Sequence, residues 1–150
     1  MRVYRISKPA FIATSLSGQG AAVYPGRWNS LGVRLAYTAG SAALAMLEML
    51  VHVDKEDAPI GLRLLSFDVP DDAIEVLAAL PIGWNGLPYS AAVRAVGDAW
   101  IAASRSLALS VPSAIARYER NLLINPAHPR FADIALIADD DLVLDARLLQ

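Results

Sequence analysis

The chain opens on an alternation of apolar and polar positions. In Val3-Tyr4-Arg5-Ile6, Tyr4 and Ile6 fall on one side of an extended chain and Val3 and Arg5 on the other, which predicts a first strand. Residues 7–34 are rich in Gly, Ser and Pro and have no clear period. So long an irregular stretch in a compact domain is often functional. Leu35-Ala36-Tyr37-Thr38 reads as a short second strand. The hydroxyl of Ser41 suits a helix N-cap, and the almost wholly apolar segment after it predicts a helix to about Val53 with most of its surface buried. At about 100° per residue, Ser41, Glu48, His52 and Lys55 form one narrow polar stripe along that helix.

Alternation returns over residues 61–69, where Leu65, Phe67 and Val69 share a face. Residues 71–80 read as a short helix stopped by Pro81, and Trp84-Asn85-Gly86 as a turn. Residues 90–104 read as a helix with Val93, Val96, Trp100 and Ile101 as its core stripe. Short apolar runs at 107–111, 121–124, 134–138 and 142–144 predict strands, and Asp139-Asp140-Asp141 is expected to turn the last two into a hairpin. Few helices and many short strands in mixed order predict an α+β fold, and 150 residues suit one domain spanning 1–150.

Composition narrows the functional classes. Charged residues make up 19% of the chain, against about 25% in an average soluble protein, and so thin a polar surface points to a face covered by a partner. The formal net charge is −2 and the 13 Lys and Arg are scattered, which argues against nucleic acid as a partner of this chain alone. No apolar run approaches the roughly 18 residues of a membrane span, and the first residues lack the apolar centre of a signal peptide, so a cytoplasmic protein without membrane association is expected. With no cysteine, and with only His52 and His128 as imidazoles in no metal-binding spacing, no metal site is expected.

Four features can carry chemistry. Gly26-Arg27-Trp28-Asn29, with Gly32 close behind, sets a planar cation among glycines that let backbone approach a ligand; an ordinary loop with a surface Arg fits the same residues. Glu48 interrupts an apolar helix, where a carboxylate is costly to bury unless paired, and it belongs either to a cleft or to the solvated stripe. Tyr37 sits on a short strand beside that helix, as a site residue or as packing. Ser113, in Val111-Pro112-Ser113-Ala114, follows a strand end, and plain capping is its simplest role. The phosphate-binding P-loop, G-x-G-x-x-G and the G-x-S-x-G nucleophile turn are all missing from the sequence.

Taken in order along the chain, these segments resemble the RES-domain family of bacterial toxins. The matching pieces are Tyr4-Arg5-Ile6, Gly18-x-Gly20, Gly26-Arg27-Trp28-Asn29 with Gly32, Ala36-Tyr37-Thr38, and Leu44-Ala45-x-x-Glu48 with His52. Then follow Val111-Pro112-Ser113-Ala114, Asn121-x-Leu123-x-Asn125-Pro126-x-His128-Pro129 and Asp145-x-Arg147-Leu148.

The resemblance implies a fold similar to ADP-ribosyltransferases, a mixed β-sheet core with flanking helices and an NAD⁺ cleft. It implies an enzyme that consumes NAD⁺ as substrate, without a metal, and so inhibits growth. It places Arg27, Tyr37 and Glu48 at the catalytic centre and Arg5 and Ser113 against NAD⁺. It also implies a partner, an Xre-like antitoxin of a type II toxin–antitoxin system. The ADP-ribosyl acceptor stays open between a protein side chain, phosphate and water. Plain NAD⁺ degradation, and a relative kept only to bind its antitoxin, are the alternatives.

Overall fold

The computed structural model describes residues 1–53 and 60–149. Seven strands form one sheet in the order β4-β5-β6-β2-β1-β3-β7. They are β1 (Arg2–Ser7), β2 (Ala36–Ala39), β3 (Arg63–Asp68), β4 (Ile74–Val76), β5 (Ala108–Pro112), β6 (Arg120–Ile124) and β7 (Ala135–Asp141). All neighbours are antiparallel except β4 and β5. Among the described residues three α-helices accompany them: α1 (Gln19–Val23), α2 (Ala42–Leu50) and α3 (Ala91–Ala103). The α+β fold is as the sequence implied.

Strand alternation sorts side chains into separate apolar clusters. Val3, Leu65, Phe67 and Val69 pack with Ala36, Leu122 and Ile124. Tyr4, Ile6 and Leu64 pack instead with Ala39 and with Leu44 and Ala45 of α2. A third cluster joins α3, through Val93 and Trp100, to Leu109, Val111 and Leu123 of the sheet and to Trp28. The helix caps follow from sequence: Ser41 Oγ accepts from Leu44 N at 3.1 Å, and Ser90 Oγ accepts from Val93 N at 3.2 Å.

The centre of the sheet opens into a cleft because β1 and β2 meet at one register only, Tyr4 opposite Ala39. Beyond it β1 stays paired to β3, as far as Ser7 opposite Arg63, while β2 stays paired to β6.

Four expectations need correction. Helix α2 ends at Leu50, not Val53, and buries only Leu44 and Ala45, leaving Leu47 and Val51 exposed; it lies on the sheet by one narrow face. Lys55 of the polar stripe lies outside the described residues. Residues 71–80 do not form an α-helix. A 3₁₀ turn at Asp71–Ala73 leads into β4, where backbone pairing with β5 and burial of Ala73 outweigh helical propensity. Asp139, Asp140 and Asp141 are not a hairpin turn but the end of β7, and residues 142–144 are not a strand. Arg63 across the pairing explains why: it donates to Asp139 Oδ1 at 2.7 Å and pairs with Asp141, so cross-strand attraction holds an acidic segment extended. Charge on an edge strand also blocks further strand addition.

Candidate active site

The cleft between β1, β2 and α2 has a volume of about 1050 Å³. Arg5, Arg27, Tyr37 and Glu48 all border it, although they come from β1, an irregular loop, β2 and α2.

Arg5 occupies the place where β1 leaves β2. Its Nη1 donates to the Tyr37 carbonyl at 2.5 Å, while its Nε is buried without a partner. Desolvation pushes its guanidinium below the usual arginine value, so the site holds a cation at an electrostatic cost that an anion would relieve. Arg27 faces it from the loop after α1. Its Nη1 donates to the Trp84 carbonyl at 2.7 Å and the Gly86 carbonyl at 2.9 Å, and its guanidinium lies 4.7 Å from the Tyr89 ring centre. Among the described residues, Arg27 Nε and Nη2 make no hydrogen bond, which leaves one edge of the fork for a ligand.

Among the described residues that line the cleft, Glu48 is the one carboxylate. Its Oε1 accepts from Asn121 Nδ2 at 2.6 Å and from Ser113 Oγ at 2.9 Å. Both donors fall on the same oxygen, and among the described residues Oε2 has no hydrogen-bond partner. Ser113 is buried and its hydroxyl has a second task, accepting from the backbone N–H of Ile115 and Ala116 at 3.1 and 3.0 Å. Ser113 is not itself among the residues that border the cleft: the turn fixes Ser113, and Ser113 holds Glu48. Of the stripe residues, His52 also borders the cleft.

Tyr37 borders the cleft, and its hydroxyl is taken up in a local network. It accepts from Trp28 N at 3.0 Å and donates to Asn29 Oδ1 at 2.7 Å. Burial raises the phenol well above the usual tyrosine value, so it stays protonated.

Sequence reasoning gave no role to Asn29, Asn121 or Tyr89. Asn121 touches Glu48, 73 positions away, and Tyr89 packs on Arg27, whereas the contacts of Asn29 lie within its own loop and the neighbouring strand; the motifs contain Asn29 and Asn121 without stating these contacts. Asn125 and His128 lie elsewhere, each accepting a backbone N–H in the turn after β6. Among the described residues, no cluster of three or more His, Asp or Glu could hold a metal ion, and no helix is long and apolar enough to cross a membrane.

The family model for the RES domain matches residues 2–145. The chain belongs to the RES domain family. It is 37% identical to a protein named Toxin Res from Photorhabdus laumondii, over all of this chain and 98% of the relative. It is 42% identical to the Prs ADP-ribosylating toxin of a Sphingobium species, over 84% of this chain and 83% of the relative. It is 40% identical to a Toxin Res from Pseudomonas putida, over 99% of each. Among solved structures its fold matches a chain of the M. tuberculosis MbcT-MbcA toxin–antitoxin complex, with a TM-score of 0.77 and 24% identity, over 94% of this chain and 83% of that one. This RES domain therefore shares a fold with a protein of that complex.

Proposed function

We propose that this RES domain is the toxin of a toxin–antitoxin pair and that it breaks the bond between nicotinamide and ribose in NAD⁺, passing ADP-ribose to an acceptor. The name of the Sphingobium relative, an ADP-ribosylating toxin, supports NAD⁺ as the substrate. The observation that carries the reading is Glu48, held by two donors on Oε1 and open at Oε2, in a cleft whose other charged walls include Arg5 and Arg27.

The residues fit the substrate. NAD⁺ brings two phosphates, and the buried, unpartnered Nε of Arg5 belongs to a guanidinium that has no carboxylate partner among the described residues. A cleft near 1050 Å³ stands at the upper end of the roughly 300–1,000 Å³ of typical ligand pockets, as an extended dinucleotide requires. Arg5 and Arg27 hold the pyrophosphate by charge-assisted donors. The Tyr37 ring packs against the nicotinamide end.

As the glycosidic bond breaks, its electron pair goes to the nicotinamide nitrogen and positive charge develops at C1′ of the ribose. Glu48 stabilises that charge and accepts a hydrogen bond from the ribose 2′-OH at Oε2. Asn121 and Ser113 keep the carboxylate oriented by donating to it. An acceptor lone pair then forms the new bond at C1′. A protein side chain, phosphate and water are the candidate acceptors, and water or phosphate alone amounts to plain NAD⁺ degradation. Such an activity needs an antitoxin, for which an Xre-like protein is the partner proposed. A chain kept only to bind an antitoxin would have no use for a Glu48 oriented by two donors.

Incubating the purified protein with NAD⁺, with and without phosphate and cell lysate, and weighing the products tests this. The expected outcome is free nicotinamide together with ADP-ribose attached to one acceptor. Intact NAD⁺ under every condition would refute the reading.

A further inference from the structure

The loop that presents Arg27 is held by its neighbours' backbone. Asn29 is fully buried, and every polar atom of its side chain is spent. Its Oδ1 accepts from Gly26 N at 2.9 Å and from the Tyr37 hydroxyl at 2.7 Å. Its Nδ2 donates to the carbonyls of Ala21 at 2.8 Å, Val33 at 3.1 Å and Ser30 at 3.3 Å. The Tyr37 hydroxyl in turn accepts from Trp28 N at 3.0 Å. The backbone N–H groups on both sides of Arg27 are therefore bound by one hydroxyl–carboxamide pair, and that pair is anchored on β2, a strand paired on both edges.

The other side of the loop is clamped by α3. Asp98 accepts from Ser30 N at 2.9 Å, Arg94 Nε donates to the Gly26 carbonyl at 3.4 Å, and Gly97 lies so close that a Cβ there would meet the Trp28 carbonyl oxygen at 1.7 Å. Gly26 is equally constrained: a Cβ would lie 2.6 Å from the Tyr37 hydroxyl oxygen. With one donor and one strong acceptor contact already made, and with burial keeping the phenol protonated, the Tyr37 hydroxyl has nothing left to offer a substrate.

We infer that the Tyr37 hydroxyl and the Asn29 carboxamide are a rigid strut that sets the position of Arg27, so that both are positioning residues acting on the bound anion through Arg27. The inference deepens the NAD⁺ reading and rests on it for the identity of the anion. It separates the residue's place on the cleft from the task of its hydroxyl, which is bound to the loop. A charged group displaced by about 1 Å loses much of its effect at a binding site, which is why a strut here matters for function and not only for folding.

The decisive variant is Tyr37→Phe, which keeps the ring and removes the hydroxyl. Three readouts are needed: ADP-ribose affinity by calorimetry, the thermal unfolding midpoint, and the rate of tryptic cleavage after Arg27 in the folded protein. The strut predicts ADP-ribose binding weaker by about tenfold, with a rise in KM for NAD⁺ that exceeds the fall in kcat. It predicts new cleavage after Arg27 well below the unfolding midpoint. It also predicts that Tyr37→Phe costs no further affinity once Arg27→Ala is in place, since both changes remove the same contact. Equal losses with and without Arg27, or unchanged affinity and cleavage, would overturn the inference. A wild-type protein that binds no ADP-ribose would refute the NAD⁺ reading alone, and the cleavage rate would then decide whether the strut exists. Should Tyr37→Phe not fold, Gly26→Ala displaces the same hydroxyl and carries the same expected and contrary results.

Discussion

Ser113 and Glu48 stand 65 positions apart in the chain, and the hydroxyl of one donates to the carboxylate of the other at 2.9 Å. The link ties the turn after β5 to the cleft face of α2.

Replacing Ser113 by Ala should cost stability and turnover together. Two backbone N–H groups lose their acceptor, which amounts to about 1–2 kcal/mol in a urea unfolding experiment. Glu48 keeps Asn121 as its remaining donor, so nicotinamide release should fall without vanishing. A variant with native stability and native turnover would show that the hydroxyl does neither job.

The close approach of α3 to the Arg27 loop can be probed at Gly97. A Cβ there would sit 1.7 Å from the Trp28 carbonyl oxygen, an overlap only backbone movement relieves. Gly97→Ala should destabilise the fold by roughly 2–3 kcal/mol. Gly20 is the control: it lies in α1 with nothing within 4 Å of an added Cβ, and Gly20→Ala should stabilise by about 0.4–1 kcal/mol. Equal unfolding midpoints for the two variants would contradict the packing described.

Much of this framework is legible in sequence because it is local. Ser41 and Ser90 announce the helix starts by their side-chain chemistry, and Leu65, Phe67 and Val69 mark the buried face of β3 by alternation. The acidic end of β7 is illegible because its reason is Arg63, a residue on another strand. The exposure of Leu47 and Val51 is illegible likewise, since an apolar helix does not state how much of it a partner will cover. At the site, Arg5, Arg27, Tyr37 and Glu48 were found through motif resemblance, and the structure gathers all four on one cleft. Tyr89, and the contact that Asn121 makes with Glu48, are visible only once the chain is folded, because their partners lie in distant segments.

Acid stability should depend on surface carboxylates paired with arginines. Arg2 holds Asp68, Arg130 holds Asp72 and Arg147 holds Asp145, each below the usual carboxylate range chiefly by hydrogen bonding. A lowered folded-state value means the contribution is present above the unfolded pKa, about 3.9, and is lost as pH falls through the folded one. Asp72→Asn should therefore flatten the loss of urea stability below about pH 4, and added salt should mimic it because these groups are exposed. An unchanged acid limb would remove Asp72 from the account.

The central claim is that the Glu48 carboxylate stabilises charge developing on the ribose of NAD⁺. It is tested most directly by nicotinamide release from saturating NAD⁺, compared between wild type and Glu48→Gln, with ADP-ribose affinity measured on both. Glutamine keeps the size and can still accept from Ser113, but it cannot carry the negative charge. The account predicts turnover lower by about 10²–10³-fold with ADP-ribose affinity nearly unchanged. Turnover close to wild type would contradict it and return Glu48 to the solvated face of its helix.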